Sequence, residues 1–289
     1  MRGKAQATLA LEKAIIDIVE ERSPITVRGV CYALFVRQMI SSMEVSNTAR
    51  ISRIMTDMRE SEALDWELIV DGSRAVERVN MWRNSSALIK AAVDQYRRNN
   101  WQEQPTIVEV WSEKSTVQGV LAPVLDELGV TFRVMKGFGS CTALMQAATD
   151  SITNSVNCQS TVVLYIGDHD PSGLYMSEVD LPKRLKRYGG RQVIERIAIL
   201  RADTVDLPHF EVATKRGDPR HDWFVEHHGR RCWELDAMDP NVLRDRVRNE
   251  IESFIDKRLW NRAIEIEDAE VESMNDFHAA WQSRLDGQP

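Results

Sequence analysis

Three carboxylate side chains stand directly after two predicted β-strands. Glu113 follows the apolar run 106–111, and Asp168 and Asp170 follow the apolar run 161–166. Functional sites of parallel α/β sheets lie at the carboxyl ends of strands, and hard divalent cations prefer carboxylate oxygens as ligands. The pattern therefore favours a Mg²⁺ or Mn²⁺ site that assists phosphoryl transfer. An isolated Asp-x-Asp is more often a turn and helix cap, but the glutamate on a second strand favours the metal.

An arginine and a tyrosine in the front half are a second candidate for chemistry. Thr26 is a good N-cap for a helix over 27–35. Arg28 and Tyr32, four residues apart, would share one face of that helix. Arginine can hold a phosphate through two hydrogen bonds while a tyrosine hydroxyl attacks it. On spacing alone, packing is the more common role of such a tyrosine.

The front half is predicted to contain three helices and a short β element, which is the outline of a winged helix. Its third helix would enter the major groove, so three arginines on it are candidate DNA contacts. The alternative is a small helical bundle whose arginines are only solvated. The helices are predicted over 9–22, over 27–35 and from after residues 46–48 to about Glu60. A strand over 66–70 ends in the turn Asp71-Gly72, and the arginines are Arg50, Arg53 and Arg59.

The back half alternates apolar strands with helices. Such repeated βα units predict a mainly parallel sheet with helices on both faces. A polar stretch within 85–105 predicts the boundary between the two halves. Farther on, the histidine-rich residues 220–228 are predicted to form a polar loop near the active edge. The strands are predicted near 106–111, 130–135, 161–166 and 193–200, and the helices over 116–128, 140–152 and from after Gly173 to about Tyr188.

The composition is that of a soluble globular protein. The 289 residues are 43% hydrophobic and 28% charged, and the net charge of −7 divides into a mildly basic front half and an acidic back half. No run approaches the length of a membrane helix and no secretory signal is evident, so we expect a cytoplasmic protein without a membrane partner. The four scattered cysteines argue against a disulfide framework or a cysteine zinc site.

The order of these motifs resembles a known protein family. A strand ending in Glu-Lys, followed by a strand ending in D-x-D-P-x-G, resembles the Toprim domain, and residues 168–173 are most similar to the A subunit of topoisomerase VI and the meiotic double-strand-break transesterase. Residues 134–139 resemble the family's second strand and glycine loop, and residues 234–238 its E-L-E-A-L segment. Residues 26–32 resemble its T-x-R-x-x-Y-Y segment, with Cys31 in place of the first tyrosine.

The resemblance implies an α/β protein with a winged-helix domain over 1–98 and a Toprim domain with a helical extension over 99–289. It implies that Tyr32 attacks double-stranded DNA, that Arg28 stabilises the phosphate, and that Lys114 also contacts DNA. It further implies a homodimer in which tyrosine and metal meet between subunits. A separate ATPase subunit would be needed for strand passage. The implied metal ligands are Glu113, Asp168 and Asp170, with Mg²⁺ or Mn²⁺ as the cofactor.

Two other functions are also compatible with the sequence. The chain could be a Toprim nuclease in which a metal-bound water, not Tyr32, is the nucleophile. It could also be a DNA-binding module that does not cut, although such a module has no need of three acids at one sheet edge. A covalent protein–DNA adduct would separate the transesterase from both.

Overall fold

The computed structural model describes residues 6–70, 79–135, 141–212 and 217–286, with side chains described as far as residue 283. The chain is mixed α/β, as predicted. Its front half is a helical unit around a core of aliphatic and methionine side chains that includes Ile15, Leu34 and Met55. The elements of this half are α1 (Gln6–Arg22), β1 (Ile25–Thr26), α2 (Val27–Val36), α3 (Val45–Glu60), β2 (Ile69–Val70) and α4 (Ser85–Gln95).

The front half differs from the sequence prediction in two details. Residues 46–48, predicted to precede the third helix, lie inside α3. The short strand β2 pairs with β1 in parallel, with Ile25 opposite Ile69. The predicted turn Asp71-Gly72 and the glycine loop 137–139 lie outside the described residues. Three helices and a short β element are therefore present, and the finer winged-helix geometry stays a prediction.

A four-stranded parallel sheet forms the centre of the back half. Its order is β4-β3-β5-β6, and every pairing is parallel. β5 is buried along nearly its whole length because it has a strand on each side and helices on both faces. The strands are β3 (Thr106–Ser112), β4 (Thr131–Val134), β5 (Ser160–Ile166) and β6 (Val193–Ala198).

Helices cover both faces of this sheet, as the alternation predicts. One face packs against α5 (Thr116–Leu128) and α10 (Pro240–Ser253). The other packs against α6 (Cys141–Val156) and α8 (Leu181–Arg187). α7 (Pro171–Tyr175) follows β5 and continues through a π-helical turn into α8.

A small hairpin and a short helix lie beside the end of β5. β7 (Phe210–Glu211) pairs antiparallel with β8 (Arg231–Cys232), and α9 (His221–His228) connects them. The prediction of a polar loop at 220–228 was wrong. The segment forms a helix because Phe224 is fully buried and anchors it to the domain.

The last helix, α11 (Lys257–Asp286), runs back to the junction between the halves and packs along α4. Tyr96 donates a hydrogen bond to Glu270 (2.6 Å), and Arg98 pairs with the same carboxylate at 2.8 Å. None of the helices in the described ranges combines the length and the apolar character that a membrane span requires.

The two halves are joined by a buried arginine of α10. Arg244 donates hydrogen bonds to the carbonyl oxygens of Arg22, Ser23 and Pro24 at 3.0–3.2 Å, and to that of Val120 at 3.1 Å. Four carbonyls are thus bound by one guanidinium, which fixes the turn between α1 and α2 against the sheet domain. This junction sets the position of α2 relative to the carboxyl edge of the sheet.

Candidate active site

The three predicted acids meet at one edge of the sheet. β3 and β5 are adjacent and parallel, with Ser112 opposite Ile166. Glu113 therefore leaves the sheet beside Asp168, and Asp170 follows two residues later. Asp168 and Asp170 are both buried, at 8% and 4% exposure.

Burial at this edge changes the pKa values of Glu113 and Asp168. Burial, followed by the negative charges of Asp168 and Asp170, raises the pKa of Glu113 to about 7. Burial also raises the pKa of Asp168, against the opposing effect of Lys114. A buried group of like charges with raised pKa values is typical of a functional site.

Each aspartate also has a structural role. Asp168 Oδ1 accepts a hydrogen bond from the Leu235 amide at 2.7 Å. Asp170 is the N-cap of α7 and accepts a hydrogen bond from the Gly173 amide at 2.8 Å. Gly173 must be glycine because a Cβ there would collide with the Asp168 carbonyl oxygen. The cap role predicted as an alternative for the D-x-D motif is therefore present together with the acid cluster.

Lys114 is a cation directly beside the cluster. Its Nζ lies 2.8 Å from Asp168 Oδ1 and 2.9 Å from Asp236 Oδ2. Burial alone would lower the pKa of Lys114, but the two carboxylates outweigh burial and raise it. Lys114, predicted to contact DNA, is thus a bridge between Asp168 and Asp236.

A second cation supports the loop that carries Asp168. Arg196 of β6 donates hydrogen bonds to the carbonyls of Gly167 (2.6 Å), Asp168 (2.5 Å) and Gly173 (3.1 Å). Its guanidinium also lies over the Tyr165 ring, 5.5 Å from the centroid. Arg196 is not among the site residues predicted from the sequence, although a charged side chain near the end of a sheet strand is a visible signal.

The donor chemistry of the cluster fits a hard cation, while its geometry is not that of a formed metal site. Carboxylate oxygens are the ligands that Mg²⁺ and Mn²⁺ prefer. Within the ranges that the structure describes, no three His, Cys, Asp or Glu side chains are arranged to hold a metal ion. The Lys114 ammonium supplies the positive charge next to Asp168 instead.

The predicted nucleophile lies on α2, close to the edge that carries the acids. Arg28 is over the Tyr32 ring, 5.7 Å from its centroid. Arg28 also forms a two-pronged pair with Glu234, in which Nη2 donates to Oε1 at 2.6 Å and Nε donates to Oε2. Burial and the nearby Glu234 carboxylate raise the pKa of Tyr32, while Arg28 opposes the rise. Tyr32, 6% exposed, nevertheless lines a cavity of about 560 Å³ together with Arg28 and Glu234.

The segment 234–236 connects the tyrosine helix to the acid cluster. Thr26 caps α2 by accepting a hydrogen bond from the Gly29 amide, and its hydroxyl donates to Asp236 at 2.8 Å. Asp236 in turn pairs with Lys114. A groove of about 550 Å³ contains Arg28, Lys114, Asp168, Glu234 and Asp236. From the sequence this segment is predicted only as a motif, and neither Glu234 nor Asp236 is predicted to have a role in the site.

The three arginines of α3 separate into two groups. Arg50 and Arg53 are exposed. Arg59 is half-buried, stacked on Trp66 at 4.8 Å from the ring centroid, and it lines the 550 Å³ groove. Arg59 is therefore part of the candidate active site, and only Arg50 and Arg53 are on the open surface of the helix.

Comparison with known proteins adds no relative from which a role could be transferred. No protein family model, no curated protein and no solved structure matches the chain. The function is therefore inferred from the residues around the groove and from the motifs that they form.

Proposed function

We propose that this chain is a metal-dependent DNA-cleaving transesterase of the topoisomerase VI A type, with a winged-helix front half and a Toprim back half. The observation that carries the proposal is the single groove that places Arg28 of the tyrosine helix opposite Lys114 and Asp168 of the sheet edge. A tyrosine, a phosphate-binding guanidinium and an acid cluster are the parts that such a reaction needs.

In the proposed reaction the Tyr32 oxygen attacks a backbone phosphorus of DNA. A bond forms between the phenolic oxygen and phosphorus, and the bond from phosphorus to the 3′ oxygen breaks. The products are a 5′-phosphotyrosyl ester and a free 3′ hydroxyl, so the phenol loses one proton and the 3′ oxygen gains one. No external oxidant, reductant or nucleotide is consumed.

Arg28 and Glu234 act as a pair in this proposal. An incoming phosphate would take the Arg28 guanidinium from Glu234, because a phosphate offers the same two-pronged acceptor geometry. Glu234, released from Arg28 and next to Tyr32, then accepts the phenolic proton. A base is needed here because the pKa of Tyr32 is raised, so that the phenol keeps its proton and is a weak nucleophile. Transfer of this proton to Glu234 would activate the phenolic oxygen.

Glu113, Asp168 and Asp170 would hold Mg²⁺ or Mn²⁺, which stabilises negative charge on the leaving oxygen when it is bound. Lys114, which lies between Asp168 and Asp236, would offer its ammonium group to the DNA phosphate at the same edge of the sheet. Asp170 keeps its cap position, so the acid-bearing loop does not need to refold.

A second candidate function is favoured by the burial of Tyr32. In a Toprim nuclease, activated water would replace the tyrosine as nucleophile, and the Arg28–Glu234 pair would serve only to dock α2. Such an enzyme would cut the same DNA and need the same acids.

Cleavage of supercoiled plasmid separates these functions. The protein is incubated with plasmid and Mg²⁺ or Mn²⁺, with an EDTA control, and each sample is run with and without protease digestion before the gel. The proposal expects metal-dependent linear or nicked DNA that enters the gel only after protease. Cut DNA with free ends would assign the nuclease, and a retarded but intact plasmid would assign a binding module that does not cleave.

Double-strand cleavage needs two nucleophiles, so the proposal includes a homodimer on double-stranded DNA. Passage of a second duplex would require energy from a separate ATPase subunit. The resemblance implies that tyrosine and metal meet between subunits, whereas the contacts of Arg28 and Thr26 with residues 234–236 favour a site within one chain.

A further inference from the structure

A second polar pocket lies on the other side of the β5 end from the candidate active site. Its volume is about 500 Å³, and it shares no lining residue with either cavity around Arg28. His169 lies between this pocket and the candidate active site. Its chain neighbours Asp168 and Asp170 belong to the acid cluster, while its own ring packs on Trp233 with 5.3 Å between the ring centroids. The remaining walls come from α9, the β7–β8 hairpin and the short helix Arg201–Val205.

The pocket is strongly basic. Arg201, Arg230 and Arg231 line it and are all exposed. Among the described residues, no carboxylate forms an ion pair with any of the three, whereas most arginines near the candidate active site are bound by carboxylates or carbonyls. Glu211 is the one carboxylate among the described lining residues, so the arginines outnumber the acids. Three guanidinium groups around one cavity create a local positive potential that attracts anions.

Two histidines complete the lining. His227 has its Nδ1 2.7 Å from the Trp223 carbonyl oxygen, and His228 has its Nε2 3.1 Å from Glu178. One nitrogen of each ring is thus fixed, which leaves the other for a ligand. His227 stacks on Trp223 and His228 on Phe224, so the two rings are held in place by packing.

We propose that this pocket binds the phosphate group of a nucleotide or of a nucleic-acid strand. Arginine presents a planar fork that matches phosphate oxygens, and a cavity of this size admits a nucleotide rather than only a small ion. The proposal goes beyond cleavage, since it needs neither the metal nor Tyr32.

Binding is tested without cleavage, in EDTA. The probe is a fluorescently labelled tetranucleotide with a 5′-phosphate, followed by fluorescence polarisation at low salt. The competitors are the same unlabelled tetranucleotide without the 5′-phosphate, adenosine monophosphate and inorganic phosphate. The variant is Arg230→Gln/Arg231→Gln, and the matched control is Lys257→Gln/Arg258→Gln, which removes two adjacent exposed charges from α11. Circular dichroism verifies that both variants are folded.

The pocket variant is expected to bind the probe at least ~10-fold more weakly than the parent, because two charge-assisted hydrogen bonds are lost. The control is expected to bind within about 2-fold of the parent.

The competitors identify the kind of phosphate that is bound. Competition by all three ligands identifies phosphate in general, whereas competition only by adenosine monophosphate and inorganic phosphate identifies a phosphomonoester. Both results support the proposal. Equal binding by the parent and the pocket variant, or no binding of the probe, would overturn it. Plasmid cleavage by the same pocket variant is scored separately, so failure here leaves the transesterase proposal intact.

Discussion

Asp168 combines a structural task with its position in the acid cluster. Its Oδ1 accepts the Leu235 amide and pairs with Lys114. The segment that carries Glu234 and Asp236 is therefore fixed to the sheet edge by the same carboxylate that is proposed to bind the metal. Charge and hydrogen bonding at this residue can be separated by two substitutions.

We predict that Asp168→Asn and Asp168→Ala both abolish cleavage but differ in stability. Asparagine keeps an oxygen for the Leu235 amide, whereas alanine leaves that buried donor unsatisfied, at a cost of about 1–3 kcal/mol. Urea denaturation of both variants measures the free energy of unfolding. Equal stability of the two variants would show that the Leu235 hydrogen bond contributes nothing, and cleavage by either would remove Asp168 from the chemistry.

At the scale of the elements, α2 is the part that brings Tyr32 to the groove. Thr26 starts this helix and also bonds Asp236, so one hydroxyl serves both the helix and the junction. We predict that Thr26→Val destabilises the protein by about 1–3 kcal/mol, since it loses a cap and a side-chain hydrogen bond. Thr26→Ser, which keeps the hydroxyl, is the control and is expected to stay close to the parent. The midpoint of urea unfolding checks both, and a valine variant as stable as the serine variant would contradict the role of the hydroxyl.

The helix α3 presents Arg50 and Arg53 to solvent. If this face contacts DNA, the plot of log affinity against log salt should become less steep by about 2 in Arg50→Ala/Arg53→Ala. The reason is that each phosphate contact contributes roughly 0.9 to the steepness of this plot. Lys183→Ala/Lys186→Ala, on the exposed side of α8, removes two charges as a control. Affinities measured over a salt series would refute the α3 docking if the arginine variant kept the slope of the parent.

Some of these elements could be predicted from sequence and others could not. Glu113 and Asp168 could be placed together because apolar runs mark the strands, and parallel strands end at a common edge. Glu234 and Asp236 could not be assigned roles, because their partners Arg28 and Lys114 are more than 100 residues away in the sequence. Arg28 meets Glu234 only where the two halves dock, and Lys114 meets Asp236 only through the tertiary fold of the back half. Arg59 was grouped with the exposed arginines because helical periodicity does not reveal that Trp66, from beyond the helix, stacks on it.

At the scale of the whole molecule, the question is whether one chain or two build the site. The contacts between α2 and residues 234–236 lie within one chain, so we predict that tyrosine and acids of the same chain work together. The test is to mix the Tyr32→Phe and Asp168→Asn variant proteins and to measure DNA cleavage by the mixture. If one chain builds the site, mixed dimers have no intact site and the mixture stays inactive. Restored cleavage in the mixture would show that tyrosine and metal come from different subunits, as the resemblance implies.

In the proposed reaction Tyr32 itself becomes attached to DNA. Tyr32→Phe keeps the ring, and therefore its packing on Arg28, and removes only the hydroxyl. The measurement is the covalent adduct formed on a radiolabelled duplex with Mn²⁺, separated on a denaturing protein gel, with mass spectrometry of the labelled peptide. We predict that the parent forms an adduct on the peptide containing Tyr32, and that Tyr32→Phe binds the duplex with unchanged affinity but forms none. An adduct that survives Tyr32→Phe, or cleavage that persists in this variant with free DNA ends, would contradict the transesterase account.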